Sequence, residues 1–118
     1  MTERIIIEEV LTLNERALRS TVVRKENAST GFWVSTIPSW VGRIQGRNSF
    51  ETQVFRFRGY TERVGKTAFP DVDVTFDSEL CRWFLDSFTE DPDSAIDYHR
   101  QVAHEVAEAL ESGELIPI

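Results

Sequence analysis

The chain has 118 residues and a hydrophobic fraction of 41%, which suffices for one domain with a single core and excludes wholesale disorder. Its formal net charge of −7 argues against binding to duplex DNA, because that interaction needs a basic surface. The one cysteine, Cys81, excludes an internal disulfide, and no apolar run approaches the roughly 20 residues that span a bilayer. We therefore expect a single domain over residues 1–118, in the cytoplasm and without membrane contact.

Alternation of apolar side chains predicts three strands in the first part of the chain. Arg4–Leu13 is rich in β-branched residues, Thr21–Arg24 is a further strand candidate, and Phe32–Ile37 is a strand that the following proline ends. Asn27–Gly31 has the composition of a turn. Between the first two strands, residues 14–20 fit either a turn or a short helical turn.

The middle of the chain predicts a central strand between two loops. Phe50–Arg58 is dense in Phe, Val and Thr, and its alternation places Arg56 and Arg58 on one face. Residues 39–48 and 59–67 are predicted loops.

Two further segments follow the second loop. Residues 71–77 alternate acidic or polar and apolar side chains and predict a half-exposed strand. Leu80–Phe88 fits a helix face and a strand almost equally, and we favour the strand.

The clearest element is a helix at about residues 92–111, followed by a short flexible tail at 112–118. Asp91 is placed to cap it, Pro92 suits its first position and Gly113 ends it. Its apolar stripe holds Ala95, Tyr98, His99, Val102, Ala103, Val106, Ala109 and Leu110. We predict an α+β fold, in which a small antiparallel or mixed β-sheet is packed on one face by this helix.

Two motifs that suggest chemistry fail on spacing. The segment Gly59–Thr67 resembles a phosphate-binding loop, but five residues separate its glycines instead of four, and Pro70 forbids the helix that should follow. Asp71, Asp73, Asp77 and Glu79 offer oxygen ligands for a hard cation, yet strand alternation already accounts for the three aspartates. We expect no metal site and no cofactor.

The remaining reactive side chains are predicted to be structural. His99 lies in the apolar stripe of the helix, so we expect a histidine at the edge of the core that is hydrogen-bonded to the sheet. His104 lies on the polar side and five residues away, which excludes a zinc pair. Cys81 has no neighbouring base and is expected to be buried and inert. We predict no catalytic residue and no enzyme.

Charge is sorted along the chain. Residues 43–66 carry six basic side chains against two acidic ones, whereas residues 71–114 carry thirteen acidic against two basic. The acidic excess fits the solvated sides of one strand and one helix. The basic segment coincides with the loop that holds Trp40 and with the central strand, and Trp and Arg are the residue types that anchor interfaces. We predict a partner-binding patch, called the basic patch below: Trp40, Arg43, Arg47, Arg56, Arg58, Arg63 and Lys66.

Two stretches resemble a pattern in small uncharacterised proteins of phages and bacteria. Phe50–Phe55 (FETQVF) is similar to their (Y/F)ETMVF strand, and Ser94–Val102 (SAIDYHRQV) is similar to a helix of the EAxxGH type. Gln53 stands where the pattern has Met, and Tyr98 stands where Gly is usual. The resemblance covers roughly residues 50–106. It implies a strand-plus-helix unit in a phage or prophage setting, and it implies no activity.

The sequence thus favours a small non-enzymatic protein that binds a host or phage protein, as an inhibitor or host-takeover factor does. One alternative is a virion component or self-assembling protein, in which regions of opposite charge meet and the tail docks on a neighbouring copy. Further alternatives are nucleic-acid binding by the aromatic and basic segment and a metal-dependent enzyme at Asp71 and Asp73. Nucleic acid is disfavoured by the acidic balance, and a homo-oligomer is compatible with the sequence.

Overall fold

The computed structural model describes residues 4–9, 18–39, 49–62, 68–73, 78–87 and 91–118. Six strands, one turn of 3-10 helix and one α-helix make up this part of the chain. In order they are β1 (Ile5–Glu9), β2 (Arg19–Lys25), β3 (Gly31–Pro38), β4 (Phe50–Glu62), β5 (Ala68–Asp73), the 3-10 turn (Cys81–Trp83), β6 (Leu85–Ser87) and α1 (Pro92–Ser112).

The strands form one antiparallel sheet. Five of them follow each other in the order β1-β2-β3-β4-β5, and the short β6 pairs with the start of β4. β4 is the central strand: β3 lies along one edge, while β6 and β5 share the other. This confirms the predicted α+β class, in its antiparallel form.

Close packing of β2, β3 and β4 requires a glycine at one point. A Cβ at Gly31 would lie 2.5 Å from the carbonyl oxygen of Val23 and 3.0 Å from Cε1 of Phe57. Gly31 is opposite Arg24 on one side and Phe57 on the other. Because Gly31 has no Cβ, the Phe57 ring of β4 can lie against the first residue of β3.

One face of the sheet is covered by α1. Directly paired residues of neighbouring strands point to the same face, so Val23, Phe32, Val34 and Val54 share a face, and all are buried. They form one core cluster with Val102, Val106 and Leu110 of the helix and with Leu115 beyond it. The opposite face also holds fully buried side chains, namely Val22 and Phe57.

The capping residues and the apolar stripe of α1 are as predicted. The Asp91 side chain accepts a hydrogen bond from the backbone N–H of Asp93 at 3.0 Å, and Pro92 occupies the first turn. Gly113 ends the helix in the left-handed conformation, with φ 83°. The whole predicted stripe is buried except Tyr98, which is half-buried, while Asp97, Arg100, His104, Glu108 and Glu111 are exposed.

Several predicted boundaries were wrong. Arg19 and Ser20 belong to β2, and β4 continues through Glu62, so residues 59–62 are strand and not loop. Leu80–Phe88 divides: its first part is the 3-10 turn, and Leu85–Ser87 is the strand β6. The second half of the predicted strand Arg4–Leu13 lies outside the described residues, as do the loop at 40–48 and residues 74–77.

The C-terminal segment differs from the predicted flexible tail. Leu115 is 1% exposed, and its backbone N–H donates to the carbonyl of Ala109 at 3.0 Å. Arg56 Nε donates to the carbonyl of Ile116 at 3.3 Å. The chain thus folds back against its own core after α1, while Ile116 and Ile118 stay exposed.

Candidate functional site

A groove of about 610 Å³ lies between the 3-10 turn and α1. We call it the Trp83 groove. It is lined by aromatic, acidic and small side chains, with one arginine: Arg82, Trp83, Tyr98, Gln101, Glu105, Glu108, Ala109, Ser112 and Glu114.

The 3-10 turn determines which side chains enter the groove. Backbone N–H groups of Trp83 and Phe84 donate to the carbonyls of Leu80 and Cys81, at 3.2 and 3.0 Å. With about three residues per turn, Leu80 and Trp83 both point inward and are buried, while Cys81 and Arg82 are exposed. Trp83 thereby forms the floor of the groove.

Hydrogen bonds from α1 hold the indole of Trp83. Its Nε1 donates to Glu105 Oε2 at 3.0 Å, and the Tyr98 hydroxyl donates to the Trp83 carbonyl at 3.4 Å. Gln101 Nε2 donates to the other oxygen of Glu105 at 3.2 Å. Burial, with the Glu105 charge as a smaller cause, raises the pKa of Tyr98.

Arg82 lies across the groove floor. Its guanidinium carbon is 3.9 Å from the centre of the Trp83 ring, the position of a cation–π contact. Its Nη1 donates to Glu114 Oε1 at 2.5 Å, and this hydrogen bond lowers the pKa of the Glu114 carboxyl. The groove therefore already binds one guanidinium, from its own chain.

The groove carries more negative than positive charge. Among the described residues that line it, Glu105, Glu108 and Glu114 are acidic and Arg82 is the only cation. A surface of aromatic rings and carboxylates attracts arginine and lysine side chains and repels acidic ones. The groove is therefore chemically suited to binding cationic side chains.

A second polar arrangement lies inside the core, where α1 crosses the sheet. His99 is 2% exposed; its Nε2 is 2.8 Å from Thr21 Oγ1, and its Nδ1 is 2.8 Å from Thr36 Oγ1. Thr36 Oγ1 is in turn 2.7 Å from Thr52 Oγ1. The chain of hydrogen bonds thus ties the helix to β2, β3 and β4.

The environment of His99 favours its neutral form. Burial first, and then the charges of Arg19 and Arg100, lower the pKa of His99 to about 4. A neutral imidazole donates from one ring nitrogen and accepts at the other, and threonine hydroxyls can do both, so the network is satisfied in either direction. With both nitrogens occupied inside the core, His99 ties helix to sheet, as its position in the stripe predicted.

Two residues of the predicted basic patch lie in the described part of the chain. The Arg56 side chain is 17% exposed, and its Nη2 donates to Glu79 Oε2 at 2.6 Å. Its guanidinium carbon is 5.5 Å from the centre of the Phe32 ring. Arg58, two positions further along β4, is exposed. Trp40, Arg43, Arg47, Arg63 and Lys66 lie outside the described residues.

The prediction that Cys81 is buried was wrong, and the exclusion of a phosphate loop can be compared with local structure. Cys81 is exposed, because Leu80 and Trp83 take the inward positions of the 3-10 turn. Ala68 begins β5, so a strand follows Lys66-Thr67 where a phosphate loop needs a helix. The side chains of Asp71, Asp73 and Asp77 lie outside the described part of the chain. Within the described ranges, no three His, Cys, Asp or Glu side chains group as metal ligands. Within the same ranges, no helix has the length and apolarity to cross a membrane.

Reasoning from sequence missed the Trp83 groove. Tyr98, Gln101, Glu105, Glu108 and Ser112 recur at intervals of three and four residues and so form a second stripe beside the apolar one. That spacing was a usable signal for a shared surface. The position of Trp83 against this stripe depends on the 3-10 turn, which the sequence did not predict.

Comparison of the chain with protein-family models, with curated proteins and with solved structures finds no match.

Proposed function

We propose that this protein acts without catalysis, by binding a protein partner whose arginine or lysine side chains enter the Trp83 groove. One observation supports this proposal above the others. Arg82 is held between the Trp83 ring at 3.9 Å and the Glu114 carboxylate at 2.5 Å. The groove therefore has the ring and the carboxylate that recognise a guanidinium.

Charge and setting support the same proposal. The net charge of −7 favours encounters with basic surfaces. The resemblance of residues 50–106 to small phage and bacterial proteins is the reason to propose a host or phage protein as the partner. An inhibitor or host-takeover factor in the cytoplasm of a bacterial or infected cell is the corresponding role.

The basic patch is a different hypothesis for the binding surface, and it calls for an acidic partner. Arg56 is engaged with Glu79 and with the carbonyl of Ile116. Arg58 is the exposed member on β4. We place the proposed site at the Trp83 groove because its ring and carboxylate already hold the Arg82 guanidinium, whereas Arg56 is itself engaged by groups of its own chain.

The proposal is tested by titrating the ¹⁵N-labelled protein with short arginine-rich and lysine-rich peptides and with an acidic peptide of equal length. The indole N–H signal of Trp83 reports directly on the groove floor. We expect the basic peptides to shift this signal and the acidic peptide to leave it unchanged. Glu108→Lys, which reverses one groove charge, should weaken binding about tenfold.

Two further variants make the test specific. Glu111→Lys reverses an exposed charge on the same helix outside the groove, so it should retain the affinity of the unaltered protein. Arg82→Ala removes the internal guanidinium and should strengthen binding. Basic peptides that leave the Trp83 signal in place, or an equal loss in Glu108→Lys and Glu111→Lys, would contradict the proposal.

A further inference from the structure

β1 is the outermost strand of the sheet, and among the described strands it pairs with β2 alone. The carbonyl of Arg4 accepts a hydrogen bond from the backbone N–H of Glu26 at 2.8 Å. Since backbone groups alternate along a strand, those of Ile6 and Glu8 also point toward β2. Those of Ile5 and Ile7 point away from the sheet, where another strand can bind them.

The side chains of β1 have a matching alternation. Ile7 is opposite the buried Val23, so Ile5 and Ile7 lie on the face that α1 covers. Ile6 lies on the other face, together with Arg4 and Glu8. Ile7 is 43% exposed at this edge, although the side chain of Val23 opposite it is fully buried.

We propose that β1 pairs with β1 of a second copy of this chain, antiparallel, with Ile6 opposite Ile6 of the second copy. In this register each Ile5 is opposite Ile7 of the other copy, and each Arg4 is opposite Glu8 of the other copy. Apolar side chains meet apolar ones, and Arg4 and Glu8, the two exposed charges on the face of Ile6, meet charges of opposite sign. Glu9, the third exposed charge of this edge, is paired with Arg19 of its own chain. A second copy is thus the occupant that the edge itself specifies.

The direction of the backbone N–H and C=O groups along β1 favours the same register. Ile5 and Ile7 are the residues whose N–H and C=O groups point outward, so each Ile5–Ile7 pair exchanges both hydrogen bonds between the copies. The Ile6–Ile6 pair is then a close pair without hydrogen bonds, on the twofold axis. Shifting the register by one residue on each strand places Ile6 opposite Glu8, or Arg4 opposite Ile6, and loses this match.

The symmetry also keeps the two helices on one side. A twofold axis between antiparallel strands stands perpendicular to the sheet, so equivalent faces stay together. Each α1 contacts its own β1, and the Ile5–Ile7 pairs therefore lie between the two helices. Dimerisation buries Ile7, the exposed apolar side chain of this edge.

The test measures mass against concentration by sedimentation velocity, from the micromolar range upward. We expect a reversible dimer for the unaltered chain. Arg4→Glu alone or Glu8→Arg alone places like charges opposite each other and should weaken the dimer at least tenfold. An equimolar mixture of these two variants should form a heterodimer, because every mixed pair is then of opposite sign.

Two controls separate this edge from other surfaces. Arg100→Glu makes the same charge change on the exposed side of α1 and should leave the dimer intact. Ile7→Pro removes an outward N–H without breaking a bond to β2, so it should give a folded monomer, as circular dichroism would verify. The proposal is overturned by a chain that stays monomeric throughout, by a dimer unaffected by Arg4→Glu, or by a mixture that forms no heterodimer.

Discussion

At the scale of single residues, His99 has the most distinctive environment. A polar ring that is 2% exposed would be costly without partners, and Thr21 and Thr36 provide one partner for each ring nitrogen. The network forms only when α1 lies across β2 and β3 in one position. His99 therefore contributes to the specificity of packing between helix and sheet.

The lowered pKa of His99 makes stability depend on pH. The folded value of about 4 lies below the ordinary 6.5, so between these values the unfolded chain binds the proton more readily. The contribution of His99 is fully present above pH 6.5 and is lost as the pH falls toward 4. The loss is of the order of 3 kcal/mol, which is the shift multiplied by about 1.4 kcal/mol per pH unit.

We expect His99→Gln to remove this dependence, since a glutamine amide bonds to hydroxyls but does not titrate. Urea unfolding at pH 7 and at pH 4.5 measures the free energy of unfolding of both proteins. Carboxyl groups titrate in both, so the difference between the two proteins isolates His99. His104→Gln, at an exposed site, is the control and should behave as the unaltered chain. Equal acid destabilisation of His99→Gln and the unaltered chain would contradict the assignment.

Predictions about single residues succeeded where the local sequence pattern alone determines whether the side chain is buried. The apolar stripe alone placed His99 in the core, but its partners are 78 and 63 residues away in sequence. Identifying Thr21 and Thr36 required the register of β2 on β3. The prediction for Cys81 failed for a related reason. Whether Cys81 faces the core or solvent depends on which positions of the 3-10 turn point inward.

At the scale of elements, the segment after α1 acts as part of the core. Leu115 is 1% exposed and belongs to the core cluster, whereas the next residue, Ile116, is 70% exposed. The Leu115 N–H bond to Ala109 and the Arg56 bond to the Ile116 carbonyl hold the segment in place. The backbone here alternates between a buried side chain and an exposed one.

Adjacent substitutions test the role of this segment. Leu115→Ala should lower the free energy of unfolding by about 2–5 kcal/mol, because it removes a buried side chain and leaves a cavity. Ile116→Ala, the matched control, should change it by less than about 0.5 kcal/mol. Denaturant unfolding monitored by tryptophan fluorescence gives both values. Similar effects of the two substitutions would mean that the segment does not pack as described.

The elements themselves were predictable to different degrees. Period-two and period-3.6 patterns are local, and they predicted β3, the first part of β4 and α1. The continuation of β4 through residues 59–62 is sustained by pairing with β5, which local composition does not reveal. Leu80–Phe88 fitted both periods because it contains a 3-10 turn and a strand in succession.

At the scale of the whole molecule, the helix comes last in sequence and completes a core that the strands begin. The sheet contributes Val23, Phe32, Val34 and Val54, and all of them face α1. Val102, Val106, Leu110 and Leu115 from the last part of the chain are at most 2% exposed. The acidic excess in the last part of the chain fits this arrangement, since α1 directs its acidic residues to solvent and presents its apolar stripe to the sheet.

This arrangement predicts that the strands do not fold without the last 28 residues. Burying a large aliphatic side chain stabilises by roughly 1.5–3 kcal/mol, so four of them match the net stability of a typical domain, about 5–15 kcal/mol. A chain of residues 1–90 should therefore unfold without a cooperative transition and bind a hydrophobic dye. Addition of a peptide of residues 91–118 should restore cooperativity, because it returns the apolar stripe and Leu115 to the sheet.

A chain of residues 1–113 is the control, because it keeps the whole helix and lacks Leu115. It should unfold cooperatively, and its free energy of unfolding should fall by about as much as in Leu115→Ala. Cooperative unfolding of residues 1–90 near the midpoint of the full chain would show that the sheet is stabilised by its other face instead.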